Sequence, residues 1–249
     1  MSSTRLDQAL VDRGLYLSRE KAKRAILAGQ VRIKGQTASK ASDKVKPEDE
    51  ITLDAPEKYV SRGGHKLEHA LDHFKIEVKD LTAVDLGAST GGFTDCLLQR
   101  GAKKVYAVDV GQGQLAWKLR NDPRVVVMEK INARDLTKDK FPKPFEGADL
   151  VVADCSFISL KKILPAAVAL LRGSGSIIAL VKPQFEAGKA EVDKGAGVIT
   201  DPAIHTRVLA EIKEFADGQG GLVWRGETES PLLGPAGNKE FLILLETKS

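Results

Sequence analysis

The sequence predicts an α/β fold, a Rossmann-like and mostly parallel sheet of seven strands, preceded by a small α+β module. Three observations lead there. From Leu81 onward, short apolar runs rich in β-branched residues alternate with helical patterns, and a glycine-rich turn follows the first run. The last two runs, 222–227 and 241–245, have no helical pattern between them, which suits an antiparallel pair at the sheet edge. Residues 1–54 carry a different rhythm of two short helices and short alternating stretches. The expected organisation is a module over 1–54, a linker over 55–62 and a large domain over 63–249.

In chain order, Leu6, Ala9, Leu10 and Leu15 mark one face of a first helix that Gly14 stops. Ser18 caps a second helix, which runs through Ala22, Ala25, Ile26 and Leu27 to Gly29. Val31-Arg32-Ile33 and Ile51-Thr52-Leu53 read as strands, with Lys34-Gly35 as a turn and a connecting segment centred on Pro56. The large domain then offers strands at 83–86, 104–108, 125–128, 150–153, 177–181, 222–227 and 241–245. Helical patterns at 91–100, 159–171 and 201–217 separate most of them. Seven strands ending in an antiparallel pair are the arrangement of Rossmann-like methyltransferases rather than of dehydrogenases.

Composition narrows the function classes. A chain of 249 residues, 42% hydrophobic and 29% charged, has the balance of a globular protein with a full core. Arg5, Asp7, Asp12 and Arg13 interrupt the first apolar residues, so no signal peptide is expected, and no run has the length and apolarity of a membrane span. Cys96 and Cys155 are too few for a disulfide framework, sit in apolar contexts and lack metal-ligand spacing. These readings predict buried thiols, a cytoplasmic protein, no bound metal and no membrane partner. The net charge is only +4, but residues 1–46 hold eleven Lys and Arg against four Asp and Glu. Such a local excess suits a segment lying beside phosphates.

The strongest local signal is Val84-Asp85-Leu86-Gly87-Ala88-Ser89-Thr90-Gly91-Gly92-Phe93, a strand, a glycine turn and the start of a helix. A dinucleotide loop needs Gly-x-Gly-x-x-Gly, and Gly87, Gly91 and Gly92 have the wrong spacing. Gly87-Ala88-Ser89-Thr90-Gly91 also matches a hydrolase nucleophile elbow, with Asp154 and His205 following in order. That elbow normally comes after several strands, and it leaves Asp85 unexplained. The third reading is a methyltransferase cofactor loop. Here Asp85 closes one strand and Asp109 the next, where an ionised carboxylate accepts both hydroxyls of an adenosine ribose. This reading accounts for most of the residues.

Four further charged residues stand where turn or apolar residues are expected. They are Lys66 in Ser61-Arg62-Gly63-Gly64-His65-Lys66-Leu67, Asp154 in Val152-Ala153-Asp154-Cys155, Lys182 in Val181-Lys182-Pro183-Gln184-Phe185-Glu186, and Glu240 before Phe241. Carboxyl ends of parallel strands converge on one crevice, and an antiparallel last strand brings its start to the same edge. A lysine serves as a base when a neighbouring cation makes its proton easier to lose, so Lys66 beside Lys182 would activate Lys182. Asp154 and Glu240 would orient the two amines.

With these motifs in view, the large domain resembles the FtsJ-like RNA ribose 2′-O-methyltransferases, and residues 1–54 resemble the S4 RNA-binding domain. The combination looks like the TlyA family, also labelled hemolysin A, over nearly the whole chain. The resemblance implies S-adenosylmethionine as cofactor and a Lys-Asp-Lys-Glu catalytic tetrad on Lys66, Asp154, Lys182 and Glu240. It places cofactor contacts on Gly91, Phe93, Asp109 and Asn132, to which the loop reading adds Asp85, Gly87, Ser89 and Gly92. Ser89-Thr90 replaces an Ala-Pro pair common in the broader family. The implied substrate is ribosomal RNA or a ribosomal subunit, with cytidine as the methylated nucleotide. Arg5, Arg19, Lys21, Lys23, Arg24, Arg32 and Lys34 are the expected phosphate contacts, because few aromatics are present for base stacking. Two other readings remain: a non-catalytic RNA- or ribosome-binding factor, and a membrane-active hemolysin, which would need an amphipathic or spanning segment.

Overall fold

The computed structural model describes residues 3–54, 57–219 and 221–248. The chain divides into two compact units, residues 1–58 and 59–249. Ala55 and Pro56, on which the expected linker is centred, lie outside the described residues. The large unit nevertheless begins earlier than the expected 63. Tyr59 is 2% exposed and packs with Leu67 and Phe93 in one apolar cluster, so burial assigns it to the large unit.

The smaller unit contains β1 (Thr4–Arg5), α1 (Leu6–Asp12), α2 (Arg19–Leu27), β2 (Val31–Ile33), β3 (Gln36–Thr37), β4 (Lys44–Val45) and β5 (Ile51–Leu53). Leu6, Ala9 and Leu10 of α1 meet Ala22, Ala25 and Ile26 of α2, and Val31, Ala38 and Val45 complete the core. The helices end where expected, with Gly14 and Gly29 in the left-handed region at φ 70° and 72°. Ser18 caps α2 by accepting from the Lys21 amide at 3.3 Å. Leu15, by contrast, is 38% exposed and stands outside the core face. β2 pairs antiparallel with both β3 and β5, and β1 pairs antiparallel with β4.

The larger unit opens with α3 (Gly63–Phe74) and then alternates. Its strands are β6 (Thr82–Leu86), β7 (Lys104–Asp109), β8 (Val125–Glu129), β9 (Ala148–Ala153), β10 (Leu171–Val181), β11 (Leu222–Glu229) and β12 (Phe241–Thr247). Its other helices are α4 (Gly92–Gln99), α5 (Trp117–Arg120), α6 (Leu164–Leu170), α7 (Pro183–Glu186), α8 (Lys189–Lys194) and α9 (Pro202–Gly218). Among the described residues, seven strands form one sheet in the order β11-β12-β10-β9-β6-β7-β8. β6 to β10 run parallel, while β12 is antiparallel to both neighbours. The expected antiparallel pair is present, and its later strand lies inside, leaving β11 as the edge.

Alternation of side chains across the sheet builds two cores. Val84, Leu86, Val151, Ala153, Ile177 and Ile243 join α6 and α9 in one apolar cluster. Ala83, Val105, Leu150, Val152, Ile178 and Leu242 join α3 and α4 in the other. With both faces covered, the inner strands are nearly continuous apolar runs, as parallel strands must be. Polar residues are therefore pushed to the strand ends, where the candidate site forms.

Candidate active site

The turn after β6 brings backbone close to backbone. Gly87 has φ 84°, and a Cβ there would lie 2.8 Å from the Asp154 carbonyl oxygen, so only glycine fits. Ser89 also adopts a left-handed conformation, at φ 49°, which costs a non-glycine residue energy. Its amide donates to Asp109 Oδ2 at 2.8 Å, while Gly111 N donates to Asp109 Oδ1 at 2.7 Å. Asp109 thereby locks the glycine turn to the end of β7, and a carboxylate retains lone pairs for further donors.

A cavity of about 580 Å³ opens at this edge, lined by Gly87, Ser89, Asp109, Asn132, Cys155 and Phe157 among others. Asn132 Oδ1 accepts from Arg134 N at 3.2 Å, which caps a short 3-10 turn at the cavity wall. A smaller cavity of about 220 Å³ adjoins Ser89 on the other side, lined by Ser61, Lys66, Ser89, Gly92, Phe93 and Asp154. The remaining expected cofactor residues take supporting positions. Phe93 is 4% exposed and belongs to the core. Gly91, at φ 98°, packs toward Leu115 and Leu119. Asp85 is fully buried behind the turn and accepts from Thr94 Oγ1 at 2.7 Å. Its other oxygen has no partner, and burial pushes this carboxyl up to about 7.

The four charged residues form two ion pairs. Lys66 Nζ, on α3, bonds Glu240 Oε2 at the start of β12; these residues are 8% and 1% exposed. Lys182 Nζ, beyond β10, lies 2.5 Å from Asp154 Oδ1, beyond β9, and donates to Ser156 Oγ at 2.8 Å. Lys66 and Asp154 line the same smaller cavity, so the two pairs border one space. The sequence expectation set the two amines side by side as mutual partners; in the structure each has its own carboxylate. Buried ion pairs are weak stabilisers, because desolvating the charges offsets most of their attraction. Two such pairs at a cavity rim are thus better explained by chemistry than by stability.

Several residues here escape sequence reasoning. Ser156 follows Asp154 and fixes the Lys182 amine. Phe157 is 91% exposed, holds φ 62° and lies 5.2 Å from Phe185, centroid to centroid. Glu186 accepts from Ser159 Oγ and Leu160 N, both at 2.6 Å, tying α7 to the loop after β9; burial raises its carboxyl above the ordinary range. Leu232, Leu233 and Pro235 supply an apolar wall to the smaller cavity. An apolar turn flanked by Pro231 and Pro235, between two strands, is the signal that marks it. His205, required by the hydrolase alternative, is buried against Phe241 and bonded to the Ile199 carbonyl at 3.0 Å, with no triad geometry. Cys96 is buried, whereas Cys155 is half-buried on the cavity wall, its thiol pushed up to about 12 by burial.

In the smaller unit, the expected phosphate contacts are more neutralised than residues 1–46 suggest, because residues 48–54 add four acids. Arg5 and Arg19 both bond Asp7, Arg24 bonds Glu20, Arg32 bonds Asp54 and Lys34 bonds Asp49. Lys21 and Lys23 are exposed along α2. Among the described residues, no helix is long and apolar enough to cross a membrane, and no group of His, Cys, Asp and Glu has metal-site geometry.

Comparison with known proteins gives concordant matches. The FtsJ-like methyltransferase family matches residues 59–247, and the S4 domain matches residues 4–51. The 16S/23S rRNA (cytidine-2′-O)-methyltransferase TlyA of Mycobacterium tuberculosis is 48% identical over 98% of this chain and 90% of its own length. Hemolysin A of Brachyspira hyodysenteriae is 44% identical over 96% of this chain and 98% of its own. The solved structure of a candidate hemolysin from Streptococcus thermophilus is 44% identical, with a TM-score of 0.75, covering 100% of this chain and 90% of that one.

Proposed function

The chain belongs to the FtsJ-like methyltransferase family and carries an S4 domain, and on that premise we propose that it methylates ribose 2′-hydroxyls of ribosomal RNA, with S-adenosylmethionine as donor. The observation that carries this reading is the pair of lysine–carboxylate bridges, Lys66–Glu240 and Lys182–Asp154, bordering one cavity beside the glycine turn. The cytidine preference named for the Mycobacterium tuberculosis relative is the base choice we propose here. A cytoplasmic location follows from that substrate.

The donor suits the residues present. The larger cavity offers Asp109 to ribose hydroxyls and Asn132 to the adenine, while Gly87 and Ser89 bring the main chain of the turn to its wall for the methionine part. Gly91 and Gly92 let that turn pack closely on its neighbours. Phe93 and Asp85 hold that turn from behind, since both are buried. S-adenosylmethionine supplies a methyl group on a sulfonium, which departs as a neutral thioether and needs no acid. The protein's part is then positioning and proton removal. Lys182 first releases its own ammonium proton to solvent and, as the neutral amine, takes the proton from the 2′-hydroxyl. Asp154 and Ser156 aim that amine, and Lys66 with Glu240 holds the ribose in line. The S4 unit grips folded RNA through Arg5, Arg19, Lys21, Lys23, Arg24, Arg32 and Lys34, in the module we delimit at residues 1–54.

Mass spectrometry of nucleosides from ribosomal RNA tests the reading. RNA from cells lacking the protein should lose a 2′-O-methylcytidine that the wild-type chain restores and Lys182→Arg does not. Restoration by Lys182→Arg would remove the proposed base. Calorimetry should detect S-adenosylmethionine binding to both proteins; no binding to either would favour the non-catalytic RNA-binding factor.

A further inference from the structure

Surface ion pairs in a small RNA-binding unit usually work against it, because each carboxylate cancels a charge meant for phosphate. Asp7 departs from that pattern. It is 4% exposed, although it lies among exposed basic residues. Its Oδ1 accepts from Arg5 Nε and Gln8 N, both at 3.0 Å, and its Oδ2 accepts from Arg5 Nη2 at 3.1 Å and Arg19 Nη2 at 2.9 Å. Four donors fill the acceptor capacity of one carboxylate. The Arg24–Glu20 bridge is different in kind, a one-to-one pair with both side chains more than 70% exposed.

We propose that Asp7 is a positioning residue that joins Arg5 and Arg19 into one phosphodiester-binding clamp. The two arginines come from separate elements, the end of β1 and the start of α2, and share the same carboxylate oxygen. Their side chains stay 44% and 54% exposed, so each turns one edge to Asp7 and the other to solvent. The Nη1 group of Arg5, and Nε and Nη1 of Arg19, take no part in the bonds to Asp7. Two forks held side by side match the bidentate geometry of phosphate oxygens. The trio keeps one net positive charge, the complement of a phosphodiester. Asp7 also removes the repulsion between the guanidiniums and the rotamer freedom each would lose on binding. Its carboxyl is held down at about 2, chiefly by the hydrogen bond from Arg5, so it stays ionised wherever RNA is bound.

This inference rests on the reading that the S4 unit binds RNA, and the sign of one substitution tests it. Asp7→Asn in the full-length protein raises the net charge by one, so charge counting predicts tighter RNA binding. The clamp predicts binding weaker by about fivefold to tenfold, measured by filter binding of full-length ribosomal RNA at constant salt. Asp7→Asn should also have little further effect on RNA affinity in an Arg5→Ala/Arg19→Ala background, whereas a merely structural loss would persist there. Equal or tighter binding by Asp7→Asn overturns the clamp. If that variant does not fold, Arg5→Lys and Arg19→Lys, which keep the charge and lose the fork, carry the test, and unchanged affinity in both overturns it. The double alanine variant separates the two levels of the argument. Full RNA affinity there removes these arginines from the RNA-binding reading itself, while a loss there without one in Asp7→Asn removes only the clamp.

Discussion

Lys182 Nζ stands 2.5 Å from Asp154 Oδ1, each residue lying just past the carboxyl end of one of two adjacent parallel strands. Parallel pairing therefore creates the contact, since neighbouring strands of one direction finish at one edge. Ser156 then fixes the amine from a third direction. Lysine and arginine differ here in a way that matters: a guanidinium keeps the charge and the salt bridge but cannot give up its proton at ordinary pH. Lys182→Arg should lower single-turnover methyl transfer to ribosomal RNA by about 100-fold or more, the scale of a lost general base. Affinity for S-adenosylmethionine, by calorimetry, should stay within about threefold, because Lys182 lies outside the larger cavity's lining.

The second bridge carries a different cost. Glu240 is 1% exposed and the Lys66 side chain 10%, so both charges are withdrawn from water. Glu240→Gln keeps the shape and strands the Lys66 ammonium, an arrangement that costs about 3–5 kcal/mol when a buried partner is removed. Asp154 is more open, with a side chain 23% exposed, and water can replace its carboxylate around Lys182. Urea unfolding should therefore show a clearly larger loss for Glu240→Gln than for Asp154→Asn. Equal losses would mean that solvent reaches both pairs alike.

Phe157 suggests a role in holding the substrate. A ring left 91% exposed, on a backbone at φ 62°, gains nothing for folding. It stands three residues after Asp154 and beside Phe185, so a nucleobase turned toward Lys182 would meet an aromatic face. Stacking of a base on such a ring is worth about 1–3 kcal/mol. Because the ring also lines the larger cavity, the comparison is made at saturating S-adenosylmethionine, where Phe157→Ala should lower kcat/KM for ribosomal RNA by about tenfold with an unchanged melting temperature. Unaltered RNA kinetics would leave the exposed ring without a function.

Strands and turns were legible because they depend on neighbours in sequence. Ala83 faces one core while Val84 and Leu86 face the other, and the left-handed φ of 84° at position 87 calls for glycine, so both leave a local trace. Asp154, Lys182 and Glu240 were legible for a related reason, since a charge at the end of an apolar strand is conspicuous, whereas Lys66 on α3 stood out only through the Gly-Gly-His-Lys-Leu stretch around it. Non-local choices leave less trace. Nothing in 241–245 says that β12 enters between β10 and β11, because every inner strand of this sheet is equally apolar. Asp7, Asp49 and Asp54 look like ordinary surface acids until the fold sets arginines and lysine against them. Phe157 reads as a core residue by type, and only its loop geometry turns it outward.

Asp85 links the cofactor turn to pH. Its side chain is fully buried, one oxygen accepts from Thr94, and the other has no partner, which favours a proton there. Burial raises this carboxyl from the ordinary 3.8 to about 7, with the nearby Asp154 charge adding to the effect. Between those values the folded chain holds a proton that the unfolded chain has released. Raising the pH therefore withdraws stability, from none lost below about pH 4 to the full amount above about pH 7. The amount is on the order of a few kcal/mol, at 1.36 kcal/mol for each unit of difference. Asp85→Asn keeps an acceptor for Thr94 and removes the titration. Its melting temperature should thus change less than that of the wild type between pH 4 and 7, and exceed it at pH 8. Parallel curves for the two proteins across that range would show that water reaches Asp85 and that its carboxyl ionises normally.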